Sequence, residues 1–132
     1  MIIGIGNDLS DITRITRILE GRTCRRFLER ILSAGEHELA GQYEGERLNQ
    51  FVAGRFAAKE AVVKAFGCGI GNVVGFTDIE ILRGSCGKPE CKLTADAWKR
   101  LGFSQGSVRI HITITHERQL ASAFAVVERI SL

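Results

Sequence analysis

Residues 108 to 115 read VRIHITIT, with Val108, Ile110, Ile112 and Ile114 alternating against Arg109, His111, Thr113 and Thr115. That two-residue period predicts a strand with one buried face. After His116, Glu117, Arg118 and Gln119, the run LASAFAVVERI from Leu120 predicts a second long strand, and the short connection predicts an antiparallel hairpin. A shorter pair is predicted upstream, where TDIEILR (77–83) and PECKL (89–93) flank the turn residues SCGK. The β-branched run IIGIG at residues 2 to 6 predicts one more strand, ending just before Asn7 and Asp8, so Asp8 is expected at a strand end.

Elsewhere the period lengthens. Ile12, Ile15, Ile18 and Leu19 recur at three- and four-residue spacing until Gly21, and RRFLERIL follows as a second helix. Ser33 stands three residues ahead of Glu36, the pattern of a capping box, so another helix is expected from about Ala34. Residues 46 to 66 predict the longest helix, closed by Gly67, and TADAWKRL predicts a short one capped by Thr94. Helices first and antiparallel strands later give an α+β fold, with an antiparallel sheet packed against a long buried helix and shorter helices. The length of 132 residues is that of a single domain, 1–132.

The long helix has almost no polar side. Leu48, Phe51, Val52, Phe56, Val62, Val63 and Phe66 share one broad arc, while Ala53, Gly54, Ala57, Ala58, Ala61 and Ala65 fill the remainder. Arg55 and Lys59 fall inside the large apolar arc; Glu60 and Lys64 lie at the edge of the small-residue arc, where a neighbour could approach the backbone closely. Charges on a buried helix must be paired, bind a metal or meet a charged ligand. Glu60 and Lys64 are four apart and can pair with each other, which leaves Arg55 and Lys59 without a partner in the helix. Long basic side chains can also reach past apolar neighbours to water.

The competing expectation is a polyanion site in which Arg55, Lys59 and Lys64 converge. A carboxylate there would repel the anion unless a divalent cation lay between them. Magnesium meets that condition, since it takes one or two carboxylates with phosphate oxygens and retained waters. Asp8 is the second carboxylate expected beside Glu60.

Composition narrows the choice of class. Apolar residues make up 45% and charged residues 25%, which excludes a disordered chain. The apolar runs are too short for a membrane span, and the N-terminal MIIGIGND lacks the basic start of an export signal. Cys24, Cys68, Cys86 and Cys91 are read as small apolar residues in a reducing cytoplasm. Cys86 with Cys91 and His111 with His116 imitate a Cys2His2 zinc spacing, but odd separations on strands turn the members of each pair to opposite faces. Gly67, Gly69 and Gly71 resemble a phosphate loop but follow a helix C-terminus instead of preceding an N-terminus. His116 continues the parity of the isoleucine face, which by itself fits a hydrogen-bonded histidine at a strand end. Asp8 by itself could cap the first helix, although Ser10 or Asp11 does so more directly.

Net charge is only +3, but Arg14, Arg17, Arg22, Arg25, Arg26 and Arg30 crowd one early stretch, as a solvated face or a docking surface for an acidic partner. A nucleic-acid-binding module is the alternative reading of that stretch. It is disfavoured because Phe27 is the only aromatic among the arginines, so stacking platforms are scarce.

GIGNDLSDI, FVAGRFAAKEAVVKAFGCGIG, the GKP at 87–89 and ITITH occur in an order and spacing that resembles the bacterial holo-acyl carrier protein synthases, which are 4'-phosphopantetheinyl transferases. The likeness runs nearly end to end, and RFAAKEA with its following lysine and glycine is its most specific part. The resemblance implies transfer of phosphopantetheine from coenzyme A to a serine of apo-acyl carrier protein, with magnesium as cofactor and adenosine 3',5'-bisphosphate released, in fatty acid biosynthesis. It also implies Asp8 and Glu60 as metal ligands, and Lys64 on the phosphates. Arg55, Gly67, Pro89 and His116 would sit around the nucleotide end of coenzyme A. Glu60, or a water on the metal, would take the serine proton. Arg14, Arg26, Phe27 and Arg30 would grip the acidic carrier protein, and a homotrimer would share active sites between subunits. Two positions depart from the family pattern: Thr113 stands where serine is common, and Asn7 where an apolar residue is.

Overall fold

The computed structural model describes residues 1–130. In chain order it contains β1 (Ile2–Asp11), α1 (Ile12–Leu19), α2 (Cys24–Ile31), α3 (Ala34–Ala40), α4 (Gly45–Phe66), β2 (Ile79–Arg83), β3 (Pro89–Leu93), α5 (Ala95–Leu101), β4 (Val108–His116) and β5 (Leu120–Arg129). β1, β5 and β4 form one antiparallel sheet in that order, and β2 and β3 form a separate two-stranded one. The expected α+β class and the β4–β5 hairpin are both present.

α4 is the axis of the fold. Val52, Ala57, Ala58, Ala61, Val62 and Val63 are fully buried, and the helix packs against β1 and β5. The small-residue arc receives its close neighbour: β1 crosses it with Gly4 over Ala65 and Gly6 over Ala61, so near that a Cβ on either glycine would overlap the helix carbonyl oxygen. Glycine is therefore demanded by backbone approach, with no unusual torsion involved. Gly67 ends α4 in the left-handed conformation at φ +79°, its amide bonded to Lys64 O, as expected of a C-cap.

The local capping signals hold. Asp11 caps α1, with Oδ1 accepting from the Thr13 amide at 2.9 Å, and Ser33 with Glu36 closes a reciprocal capping box on α3. The strand expected over residues 2 to 6 instead runs to Asp11, because β5 pairs with it as far as Asp11 opposite Leu120. Asp8 is thus within a strand, opposite Ala123, and not at its end. The polar pair Asn7-Asp8 suggested a loop locally, and the tertiary ladder overrides that signal. The strand expected from Thr77 begins at Ile79, after a single 3-10 turn over Phe76–Asp78.

Candidate active site

Asp8 shares the inward parity of Gly4 and Gly6, so the glycine contacts that lay β1 on α4 also bring its carboxylate to the helix face carrying Glu60 and Lys64. Lys64 Nζ donates to Asp8 Oδ1 at 2.8 Å and to the Asn7 carbonyl at 3.2 Å. The Asp8 side chain is 16% exposed and that of Lys64 is 51% exposed, so the pair sits at an open rim. The bond to Asp8 raises the lysine above its ordinary pKa. Partial burial, then the charge of Asp8, push the Glu60 carboxyl up, with Lys64 opposing. Two carboxylates that repel one another beside one cation form a hard oxygen donor set. Such a set suits magnesium, with phosphate oxygens completing the shell.

The other basic residues divide differently from expectation. Arg55 and Lys59 were expected to converge with Lys64 on one anion. Lys59 instead points into the core with no exposure, its Nζ donating to Glu36 Oε1 at 2.6 Å, Ile31 O at 2.6 Å and Phe76 O at 2.9 Å. All three of its donors are used, so it cannot serve a ligand. Burial pulls its ammonium below the ordinary value, against the attraction of Glu36.

Arg55 lines a cleft of about 540 Å3 together with Arg47, Arg83, Pro89, Ile114 and His116. Its Nε donates to Ile81 O at 3.0 Å and its guanidinium lies 4.5 Å from the centre of the Phe51 ring. Three arginines lining one cleft suit a polyanion. Arg47 and Arg83 were missed at the level of sequence. Arg47 is a helix residue one position from Leu48, and Arg83 ends a strand, so neither carries a local sign of purpose. Both are held through Tyr43, whose hydroxyl accepts from Arg83 at 2.6 Å and whose ring lies 5.8 Å from the Arg47 guanidinium. His116 is exposed at the end of β4 and its side chain makes no hydrogen bond among the described residues, unlike the bonded strand-end histidine its parity alone suggested. Gly67 caps α4 and lies outside the residues lining this cleft.

Arg14 is exposed on α1, and Arg26 and Arg30 are exposed on α2. Phe27 is half-buried and stacks at 6.2 Å on Phe56 of α4, so it also anchors α2. Ile18, Thr23, Arg26, Phe27 and Arg30 line a shallow groove of about 400 Å3. Among the described residues no three His, Cys, Asp or Glu side chains converge, so the zinc-like spacing forms no site. His111 faces outward to Glu128 at 2.9 Å, and Cys91 packs on the core, where burial pushes its thiol up to about 12. The departures Asn7 and Thr113 flank Phe124 on a single rung of the outer sheet face.

These features define an α+β protein with a carboxylate pair and a lysine at a rim, and a separate cleft lined by three arginines. Residues 4–124 match the model of the 4'-phosphopantetheinyl transferase superfamily. A holo-[acyl-carrier-protein] synthase of Bacillus cereus is 41% identical over 131 residues, covering 99% of each chain. Among solved structures, the Neisseria meningitidis holo-[acyl-carrier-protein] synthase superposes with a TM-score of 0.86 at 36% identity, covering 98% of this chain and all of that one. The Bacillus anthracis synthase, solved in complex with CoA (3',5'-ADP), superposes with a TM-score of 0.83 at 40% identity and 98% coverage of both. The chain belongs to the 4'-phosphopantetheinyl transferase superfamily.

Proposed function

We propose that this chain is a holo-[acyl-carrier-protein] synthase: it transfers the 4'-phosphopantetheine of coenzyme A to a serine of apo-acyl carrier protein. The observation that carries the proposal is the meeting of Asp8 from β1 with Glu60 and Lys64 of α4, in a chain 41% identical over nearly its whole length to such a synthase. The reaction breaks the bond between the phosphoryl group of the pantetheine arm and the diphosphate oxygen on the nucleotide side. The serine oxygen forms the new bond, and adenosine 3',5'-bisphosphate leaves.

Asp8 and Glu60 would hold magnesium, which supplies charge neutralisation at the diphosphate. Lys64 adds a mobile cation at the same rim. Because it now bonds Asp8, it is placed to exchange that carboxylate for a phosphate oxygen. Glu60, whose carboxyl is already raised, is our choice of acceptor for the serine proton. Arg55, Pro89 and His116 would receive the nucleotide end of coenzyme A in the cleft, while Gly67, which does not line it, serves as the C-cap of α4. Arg14, Arg26 and Arg30 would meet the acidic carrier protein, with Phe27 supplying an apolar contact.

We further propose a homotrimer of single-domain subunits with sites between neighbours. Ile5, Leu9 and Phe124 support it, standing 61%, 62% and 41% exposed on the outward face of the three-stranded sheet. No described helix is long and apolar enough to cross a membrane. A cytoplasmic enzyme of fatty acid biosynthesis is the setting we propose. The test is incubation with apo-acyl carrier protein, coenzyme A and magnesium followed by intact mass, with light scattering for the assembly. The expected result is a carrier heavier by one phosphopantetheine; an unchanged carrier beside an active control enzyme overturns the proposal.

A further inference from the structure

Among the described residues β2 has a strand neighbour on one side only, β3. At Ile81 the edge away from β3 is satisfied by side chains. The Ile81 amide donates to Glu36 Oε2 at 2.8 Å, and its carbonyl accepts from Arg55 Nε at 3.0 Å. The two groups flank one α-carbon, so whatever holds the amide also sets where the carbonyl presents itself to Arg55. Glu36 is itself held from three sides: Lys59 and the Ser33 amide donate to Oε1, and Ile81 to Oε2. It is fully buried, as is Lys59.

The Arg55 side chain makes no other hydrogen bond among the described residues. Its terminal nitrogens are left to the cleft, and their aim depends on the Nε bond and on the Phe51 ring.

We infer that Glu36, fixed by Lys59, is a positioning residue for the nucleotide cleft: it pins the free edge of β2 so that the Ile81 carbonyl aims the Arg55 guanidinium at the anionic end of coenzyme A. The inference rests on the proposed transferase reading, because it needs a nucleotide in that cleft. Glu36 touches no ligand itself. A glutamine there keeps the volume but offers one acceptor oxygen where the native residue uses two, so it cannot serve Ile81 and the Lys59–Ser33 pair together.

The test is a double-mutant cycle on binding of adenosine 3',5'-bisphosphate, measured by calorimetry on the wild type, Glu36→Gln, Arg55→Met and the double variant. Glu36→Gln is expected to weaken binding by about tenfold when Arg55 is present, the scale of one charged hydrogen bond lost. In the Arg55→Met background it should change binding by less than about twofold. A merely structural role would lower thermal stability and leave the two losses additive, and additive losses overturn the inference, as does a Glu36→Gln protein that binds like the wild type. Should the variants not fold, amide exchange on the wild type decides. Saturating nucleotide is expected to slow exchange at Ile81, and unchanged exchange there overturns the inference. A wild-type protein that does not bind the nucleotide at all overturns the transferase reading beneath it.

Discussion

α4 carries two lysines five residues apart, each bonded to a carboxylate from elsewhere in the chain, and they do opposite things. Lys59 and Glu36 meet at 2.6 Å with neither side chain exposed, and every polar atom of the pair has further partners. Lys64 and Asp8 meet at 2.8 Å at a rim where the lysine is half exposed. Removing a buried charge from its partner leaves the survivor stranded in low dielectric, so the first pair is fixed. Water competes for the second, so it can open for a ligand. The difference between the two pairs on this helix is one of solvent access, since each joins a lysine to a carboxylate.

The largest test of that contrast is Lys59→Met, which strands Glu36. It should lower unfolding free energy by about 3–5 kcal/mol in denaturant titration. Glu60→Ala strikes the rim instead. Transfer activity should fall on the order of a hundredfold or more, while the denaturation midpoint moves little; equal stability losses at Lys59 and Glu60 would erase the contrast.

Gly6→Ala should act on both properties, because the new Cβ must push β1 off Ala61 and carry Asp8 away from Lys64. We expect about 1–3 kcal/mol of destabilisation from overpacking, together with lost activity. Lys64→Met should cost under about 1 kcal/mol of stability, as exposed pairs do, yet reduce transfer clearly.

The smallest effect concerns a third ion pair. Burial works to raise the Asp78 carboxyl, but the Gly75 amide, the Thr94 hydroxyl and Arg100 together outweigh it and hold the group below its ordinary value. A depressed carboxylate contributes stability above its unfolded pKa, near ~4, and loses it as pH falls through the folded one. The melting-temperature gap between wild type and Asp78→Asn should therefore be open at neutral pH and close in acid; a gap independent of pH would contradict the sign.

Much of this was legible in the chain. Periodicity located α4, β4 and β5, and the Ala-rich arc announced a close neighbour. Arg55 and Lys59 had identical helical-wheel credentials, and only tertiary structure separates them. The Ser33 to Glu36 spacing correctly signalled a helix start, but one carboxylate serves both the cap and Lys59. Its second role spans 23 residues and leaves no local pattern. Asp8 was wrongly placed at a strand end, because its ladder partner on β5 lies more than a hundred residues away.

The glycine contacts of β1 carry one further consequence. Because strand and helix touch main chain to main chain, the spacing of the Asp8 and Glu60 α-carbons is set by backbone contact, which only a Cβ forced in at Gly4 or Gly6 would lengthen. An engineer wishing to separate those two carboxylates would have to redesign backbone, whereas the arginines of the cleft could be retuned one residue at a time.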